Sequence, residues 1–247
     1  MGKGLKLERV KAIIFDFGQT LVDASEGFRI AEKDAQKKIF NDLGLEDWEG
    51  FLNVYRGERK RYHNKKIFHR VPFWKAIYHH YKKEPEHAKL IEWEDEYWDI
   101  VDKNRSLFPE AKFVISELAR EYKLGIITNS PREGRVGPCP IKEYNEIGIY
   151  FDAIVIAGNK NIPPKPDPIP FKICLSRLET PPSQAVFVGD DLEIDIYGAL
   201  KAGIKPIWLQ HRMVKRKWEK PSIEVPIIHT LDALLSIEKL LDLQVIK

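Results

Sequence analysis

The 247-residue chain has only two cysteines, Cys139 and Cys174, and it lacks any apolar run long enough to cross a membrane. Two thiols cannot form the disulfide framework of a small secreted domain, and they have no spacing typical of metal ligands. We therefore expect reduced thiols in a reducing compartment. A charged and then apolar leader with a cleavage site is also missing. These absences together predict a cytoplasmic protein that is neither secreted nor held by a membrane.

A large excess of one sign of charge is absent as well. Lysine and arginine number 40 against 37 acidic residues, which gives a net charge of +3. This excess is too small to predict nucleic-acid binding. Apolar residues make up 43% of the chain, so a sizeable core is expected and wholesale disorder is not. The length suits one large domain or a core that carries an inserted subdomain.

Short runs rich in β-branched residues are typical of buried parallel strands. Five such runs occupy residues 10–15, 124–128, 153–157, 185–188 and 205–209. Apolar residues occur at helical spacing near residues 113–119, 171–178 and 196–202, and residues 231–241 predict a last amphipathic helix. The pattern predicts an α/β fold with a Rossmann-like, doubly wound parallel sheet.

The first gap between predicted strands is much longer than the others, with more than 100 residues. Within it no strand pattern occurs, and four stretches have helical spacing, near residues 28–43, 51–62, 72–81 and 86–101. A segment of this length cannot be a simple loop. We therefore predict an inserted all-helical domain at residues 23–106, and a core domain made of residues 1–22 and 107–247.

Charge is unevenly distributed within the insertion, where residues 56–83 are mostly basic and residues 84–99 mostly acidic. Two solvated helix faces that attract each other account for this pattern. A basic face that recognises an anionic substrate is a second interpretation. A nucleic-acid patch with interleaved aromatic residues is a third.

Chemically useful side chains follow four of the predicted strands, and ligands of open parallel sheets bind beyond the carboxyl ends of strands. Taken singly, each feature has a plain structural explanation, such as strand propensity, a solvated lysine or a helix cap. Together they predict one site at one edge of the sheet. The features are Asp16 with Thr20, then Thr128 with Asn129 and Ser130, then Lys165, and finally Asp190, Asp191 and Asp195.

In this order, these residues resemble those of the haloacid dehalogenase-like (HAD) superfamily with an α-helical, C1-type cap inserted after the first strand. The resemblance covers residues 8–22 and 107–213, and it includes the flanking pattern Lys165-Pro166-Asp167-Pro168. For the insertion it extends only to its position and helical character.

The resemblance implies a Mg²⁺-dependent phosphohydrolase that acts on a small phosphorylated molecule. Asp16 would attack phosphorus and form an aspartyl-phosphate that water then hydrolyses. Mg²⁺ would be held by Asp16, by Asp190 and by the backbone carbonyl of Gly18. Asp191 and Asp195 would support these ligands or join them, and the sequence does not separate the two.

The phosphoryl group would be bound by Thr20, Thr128, Asn129 and Lys165. Among them, Thr128 and Lys165 would also act in catalysis, because they stabilise charge on the transferring group. Thr20 would in addition steady the turn around the site.

One position departs from the family pattern. Related phosphatases usually carry an acid two residues after the nucleophile, whereas this chain has Gly18, and Gln19 cannot serve as an acid. General acid–base catalysis contributes on the order of 10²–10⁴-fold. A residue of the insertion supplies the proton, or the leaving group needs little help, or turnover is slow. The candidate donors are Glu26, Tyr55, Tyr62, His63, His69 and His79.

Other functions stay open at this point. A metal-independent 2-haloacid dehalogenase also lacks the second acid, and Arg29 could bind the carboxylate of its substrate. A phosphonate-cleaving or phosphomutase reaction is a further alternative. The last is a non-catalytic binding protein on a HAD scaffold.

Overall fold

The structure is a computed structural model, and it describes residues 9–65, 67, 69–129, 146–158, 161–215, 217–218 and 220–242. Ser130 and Cys139 lie outside these residues, and Cys174 is a free, buried thiol. The chain divides into two compact units. One is the segment Ala24–Arg105, and the other contains the described residues before and after it.

Six parallel strands form one sheet in the larger unit, in the order β5-β4-β1-β6-β7-β8, and two more form a separate antiparallel ribbon, β2-β3. The strands are β1 (Ala12–Phe15), β2 (Val22–Asp23), β3 (Ser106–Leu107), β4 (Lys123–Asn129), β5 (Ala153–Ala157), β6 (Ala185–Gly189), β7 (Lys205–Leu209) and β8 (Ile227–Ile228). All five predicted strands are present. The sequence pattern missed β8, because two residues are too few to show a periodicity.

The helices are α1 (Ser25–Asp42), α2 (Trp48–Asn64), α3 (Arg70–His80), α4 (His87–Lys103), α5 (Ala111–Leu118), α6 (Pro168–Arg177), α7 (Tyr197–Lys201) and α8 (Ile237–Asp242). Among the described residues, no helix has both the length and the apolar character that a membrane span requires.

The sheet is buried on both of its faces. Ile13 and Phe15 belong to a core that includes the apolar face of α5, whereas Ile14 belongs to another core with Phe171 and Cys174 of α6. Alternate residues of a strand point to opposite faces, so helices cover both sides of the sheet. This arrangement is the predicted doubly wound fold, and it explains why the strands are continuous apolar runs.

The C-terminal segment differs from the single amphipathic helix that the periodicity of residues 231–241 predicts. The structure has a 3₁₀-helix at Leu231–Ser236, followed by α8. Leu231 and Leu234 are both buried in the core beside α5. A 3₁₀-helix has three residues per turn, so it brings these two side chains onto one face.

The smaller unit is all-helical in its described residues, with α1 to α4 around an aromatic core that includes Phe51, Trp74 and Tyr97. Helices α1 and α4 pack closely where Gly27 faces Val101, since a Cβ atom at Gly27 would lie 2.8 Å from the Val101 carbonyl oxygen. The acidic stretch is not wholly a solvated face. Glu94 is buried, and its carboxylate accepts the backbone N–H of Arg70 at the start of α3.

The ends of the inserted segment are tied together by the β2-β3 ribbon, in which Val22 pairs with Leu107. The backbone N–H of Phe108 also donates to the carbonyl of Leu21 over 3.0 Å. Sequence patterns do not reveal such a short ribbon.

A buried histidine joins the segment after this ribbon to the end of the sheet. The ring of His211 stacks on Phe108 with centroids 3.6 Å apart, and its Nε2 lies 2.8 Å from Oε1 of Glu110. The backbone N–H of Met213 donates to Nδ1 of His211. Burial raises the pKa of the Glu110 carboxyl, but hydrogen bonds from its own backbone N–H and from His211 outweigh that effect, so the pKa is lowered overall.

This lowered pKa predicts a pH-dependent contribution to stability. The contribution is present above the ordinary pKa of glutamate, about 4.3, and it is lost as the pH falls through the lower pKa of the folded state. We expect Glu110→Gln to reduce the free energy of unfolding by about 1–2 kcal/mol at neutral pH and by less at pH values near 3. Chemical denaturation at several pH values measures the difference. Glu117→Gln is the control, since Glu117 pairs with Arg120, three residues further on, whose side chain is well exposed. A Glu110→Gln effect that does not change with pH would contradict the prediction.

Candidate active site

Asp16 lies at the carboxyl edge of the sheet, one residue beyond the end of β1. Phe15 pairs with Ile126 of β4 on one side and with Val188 of β6 on the other. The backbone N–H of Asp16 donates to the carbonyl of Val188 over 2.9 Å. Asp16 therefore sits between the ends of two neighbouring strands, where the sequence predicts it.

Hydrogen bonds between backbone groups stabilise the turn that follows Asp16. The N–H of Gln19 donates to the carbonyl of Val22 over 2.7 Å, and the N–H of Leu21 donates to the carbonyl of Phe17 over 2.9 Å. Gln19 has a φ of 63°, in the left-handed region. Thr20 is fully buried, and its hydroxyl has no hydrogen-bond partner in the part of the chain that the structure describes.

Lys165 is brought to Asp16 although 149 residues separate the two. Its ammonium lies 2.6 Å from Oδ1 of Asp16 and 2.7 Å from Oδ1 of Asp195, and the residue is only 3% exposed. Burial by itself lowers the pKa of Lys165, but the two carboxylates outweigh it, so the pKa lies above its ordinary value. Lys165 is therefore a cation at neutral pH.

Asn129 fixes the backbone of Lys165. Its Oδ1 accepts the N–H of Lys165 over 2.8 Å, and its Nδ2 donates to the carbonyl of Lys165 over 3.2 Å. The amide of Asn129, for which phosphate binding is predicted, makes both of these contacts to the backbone of Lys165. No pattern in the sequence indicates this pair, because Asn129 ends β4 and Lys165 lies 36 residues further along the chain.

Thr128 is the residue before Asn129 in β4, and it is partly exposed. Because Ile126 is level with Phe15, Thr128 lies two positions further along, at the same edge of the sheet as Asp16. Neighbouring strands are about 4.8 Å apart. This register is the arrangement that the sequence predicts for Thr128.

Three carboxylates in the acidic loop after β6 have different surroundings: those of Asp190, Asp191 and Asp195. Asp195 is 1% exposed, and its Oδ2 accepts the backbone N–H groups of Asp190 and Asp191 over 3.2 and 3.1 Å. Burial raises the pKa of Asp195, and the adjacent Lys165 partly offsets that rise. Asp191 instead caps the turn that follows, since its Oδ1 accepts the N–H groups of Glu193 and Ile194.

Asp190 is held at the edge of the sheet by its backbone. Its carbonyl oxygen accepts the indole N–H of Trp208 over 2.9 Å, and Trp208 itself is 1% exposed in the neighbouring strand β7. This bond fixes the start of the acidic loop close to Asp16.

Carboxylate oxygens of Asp16, Asp190 and Asp195 lie within 4.8 Å of one another, and all three residues are buried. Lys165 supplies one positive charge against these three carboxylates. Burying unbalanced charge is costly, and a hard divalent cation would restore the balance with carboxylate and carbonyl oxygens as ligands. The carbonyl oxygen of Gly18 accepts no backbone hydrogen bond from the described part of the chain. These donors fit Mg²⁺.

Some of the candidate proton donors in the helical unit are engaged within that unit. Arg29 makes a two-point ion pair with Glu26, and its hydrogen bonds lower the pKa of that carboxyl, which is therefore ionised at neutral pH. Tyr55 is fully buried, and its hydroxyl accepts the indole N–H of Trp74 over 3.3 Å. Nε2 of His79 lies 3.3 Å from Oε1 of Glu84, in the same unit. Tyr62, His63 and His69 stay candidate proton donors.

A family model for haloacid dehalogenase-like hydrolases matches residues 10–203. The chain belongs to this family. The match spans most of the chain and confirms the resemblance that the sequence motifs carry. The protein is therefore a hydrolase, and the HAD fold with its helical insertion is confirmed.

Curated relatives that are named for different substrates match this chain with similar sequence identity. Human N-acylneuraminate-9-phosphatase is 28% identical over 217 residues, which cover 82% of this chain and 84% of the relative. Glyceraldehyde 3-phosphate phosphatase of Pyrococcus furiosus is 26% identical over 211 residues, which cover 83% of this chain and 82% of the relative.

A solved structure shows the same fold. A HAD-hydrolase of Bacillus subtilis, crystallised with magnesium, superposes with a TM-score of 0.66 at 21% identity. The superposition covers 93% of this chain and 99% of the Bacillus chain.

Proposed function

We propose that this HAD hydrolase is a Mg²⁺-dependent phosphatase that acts on a small phosphorylated molecule through an aspartyl-phosphate on Asp16. The buried contact between Asp16 and the Lys165 ammonium, beside two further carboxylates, supports this proposal most strongly. Phosphoryl transfer depends on positioning and on the stabilisation of charge, and this cluster supplies both.

In the proposed phosphoryl transfer, each residue of the site has its own role. Asp16 attacks phosphorus, and Lys165 neutralises charge on the carboxylate and on the incoming phosphoryl oxygens. Thr128 binds a phosphoryl oxygen from the end of β4, and Thr20 belongs to the phosphate-binding turn. Asn129 holds the backbone of Lys165 at the phosphate site.

Bound Mg²⁺ would cancel the repulsion between the carboxylate nucleophile and an anionic phosphate. Asp16, Asp190 and the carbonyl of Gly18 would hold it. Asp195 has both of its oxygens committed to other hydrogen bonds, so we propose that it supports Lys165 and the acidic loop. Asp191, which caps the following turn, supports the same loop.

We also propose that residues 23–106 are the cap domain of the enzyme and that residues 1–22 and 107–247 are its catalytic core. The compact helical unit at Ala24–Arg105 supports these boundaries. The two curated relatives are named for different phosphorylated substrates, so they favour phosphatase chemistry without indicating one compound.

A metal-independent haloacid dehalogenase is a weaker proposal. Three buried carboxylates would repel an anionic haloacid in the absence of a metal ion, since Lys165 supplies only one positive charge. Arg29, the candidate for binding a substrate carboxylate, is exposed and already paired with Glu26. A non-catalytic role is disfavoured by the buried Asp16–Lys165 pair, since an ion pair with no function is costly to bury.

Removal of divalent metal is expected to abolish the hydrolysis of p-nitrophenyl phosphate, and added Mg²⁺ is expected to restore it. The physical reason is the excess of buried negative charge around Asp16. Initial rates after treatment with EDTA, and then with a series of Mg²⁺ concentrations, measure the effect. Halide release from 2-chloropropionate without metal would favour the dehalogenase. The absence of activity in both assays would favour a non-catalytic binding protein.

A further inference from the structure

Gly18 stands two residues after the proposed nucleophile, and it leaves that position without a side chain. A Cβ atom built on Gly18 would have no heavy atom within 4 Å from any described residue other than its two chain neighbours. The position of a Cβ atom there is therefore open in the described part of the chain. A proton donor for the leaving group has to come from somewhere else, or it is not needed.

The neighbours of Asp16 in the same unit are poorly placed to donate a proton. The ammonium of Lys165 is held between two carboxylates, Asp16 and Asp195, whose charge it balances. Both oxygens of Asp195 accept hydrogen bonds, one from Lys165 and the other from two backbone N–H groups. Asp190 is a proposed metal ligand and is ionised in that role.

The chemistry of the leaving group then decides which substrates react quickly. An oxygen of Asp16 forms a bond to phosphorus while the bond from phosphorus to the leaving oxygen breaks, and that oxygen keeps the electron pair. An alkoxide must be protonated as it departs, since simple alcohols are about as weakly acidic as water. Carboxylates and phenolates leave as stable anions, because their conjugate acids have pKa values of about 4 and 10.

We propose that this enzyme hydrolyses phosphates of acidic leaving groups, namely acyl, enol and aryl phosphates and phosphoanhydrides, in strong preference to alkyl phosphates. The leaving group departs as its anion and takes no proton from the protein. Water then attacks phosphorus of the aspartyl-phosphate, the carboxylate of Asp16 is released, and both hydrogens of the water leave on dihydrogen phosphate. This inference rests on the proposed phosphatase function.

Size-matched aryl phosphates test the preference with little change in binding. We expect kcat/KM to fall by roughly tenfold or more from p-nitrophenyl to p-methylphenyl phosphate, and by roughly 100-fold or more from p-nitrophenyl phosphate or acetyl phosphate to glycerol phosphate. The ratio kcat/KM is the informative quantity, because it reports the step in which the leaving group departs. In contrast, kcat can be limited by hydrolysis of the aspartyl-phosphate.

Two variants at one position separate acidity from size. Gly18→Asp is expected to raise kcat/KM for glycerol phosphate by roughly 10- to 100-fold and to flatten the dependence on the leaving group. Gly18→Asn has nearly the same shape without an acid, and it is expected to keep the steep wild-type dependence. Apart from its two chain neighbours, no described residue crowds a Cβ atom at Gly18, where both side chains begin.

The outcomes distinguish this inference from the function on which it rests. A wild-type enzyme with kcat/KM values equal within about threefold across the whole series would overturn the preference and would indicate a donor such as Tyr62, His63 or His69. Failure to hydrolyse any member of the series, with Mg²⁺ present, would instead overturn the phosphatase assignment.

Discussion

Replacing Asp16 by Asn is expected to lower kcat for p-nitrophenyl phosphate by about 10⁴-fold or more. An amide has the shape of the carboxylate, but it is a poor nucleophile and carries no charge to hold a cation. The contact between Lys165 and Asp195 persists in the variant, so the buried ammonium keeps a partner. The loss should therefore come from the chemistry and not from unfolding.

Initial rates and thermal melting of the same Asp16→Asn preparation separate these two causes. Trapping of the wild type with a substrate labelled in its phosphoryl group, followed by peptide mapping, should place the label on Asp16. The exposed carboxylate of Asp232 provides a matched control, and Asp232→Asn is expected to keep the wild-type rate. A folded Asp16→Asn protein with wild-type turnover would exclude the aspartyl-phosphate.

Replacing Lys165 by Ala is expected to lower kcat/KM for the same substrate by about 10²–10³-fold, which corresponds to a loss of about 3–4 kcal/mol of transition-state stabilisation. The variant loses the cation that contacts Asp16 and would face the transferring phosphoryl group. It also leaves two buried carboxylates without their partner, which destabilises the fold. Lys165→Met fills the same volume and limits the packing part of this effect.

Chemical rescue distinguishes a catalytic loss from a merely structural one. Added methylammonium or ethylammonium should partly restore turnover in Lys165→Ala, because a small cation can enter the space that the side chain vacates. Lys172→Ala is the matched control, since Lys172 is exposed on α6. Unchanged kinetics in a folded Lys165→Ala enzyme would refute the role assigned to this residue.

The strands of the core could be predicted from the sequence because both faces of the sheet are buried. Burial on two faces requires nearly every residue of β1 and β6 to be apolar, and such runs are visible without any knowledge of the fold. The short elements could not be predicted in this way. β8 and the β2-β3 ribbon are two-residue pairings that depend on what lies beside them.

The candidate site was partly visible for a related reason. Asp16 and Asp190 follow directly on apolar strands, and Thr128 follows the apolar residues of β4, so their placement at one edge follows from the parallel order of the sheet. The roles of the residues within the acidic loop could not be predicted from the sequence. Asp191 and Asp195 are equivalent in the sequence, and only their hydrogen bonds separate a helix cap from a partner of Lys165.

By itself, the sequence determined the alternation of strands and helices, the long helical insertion and the set of polar residues at the strand ends, because hydrophobic periodicity and local turn chemistry are properties of neighbouring residues. Tertiary structure alone decided that Lys165 lies between Asp16 and Asp195 and that Asn129 holds its backbone. These contacts join residues from separate parts of the chain, and their geometry depends on how the strands pair and on how buried charges find partners. No local pattern of residues encodes that pairing.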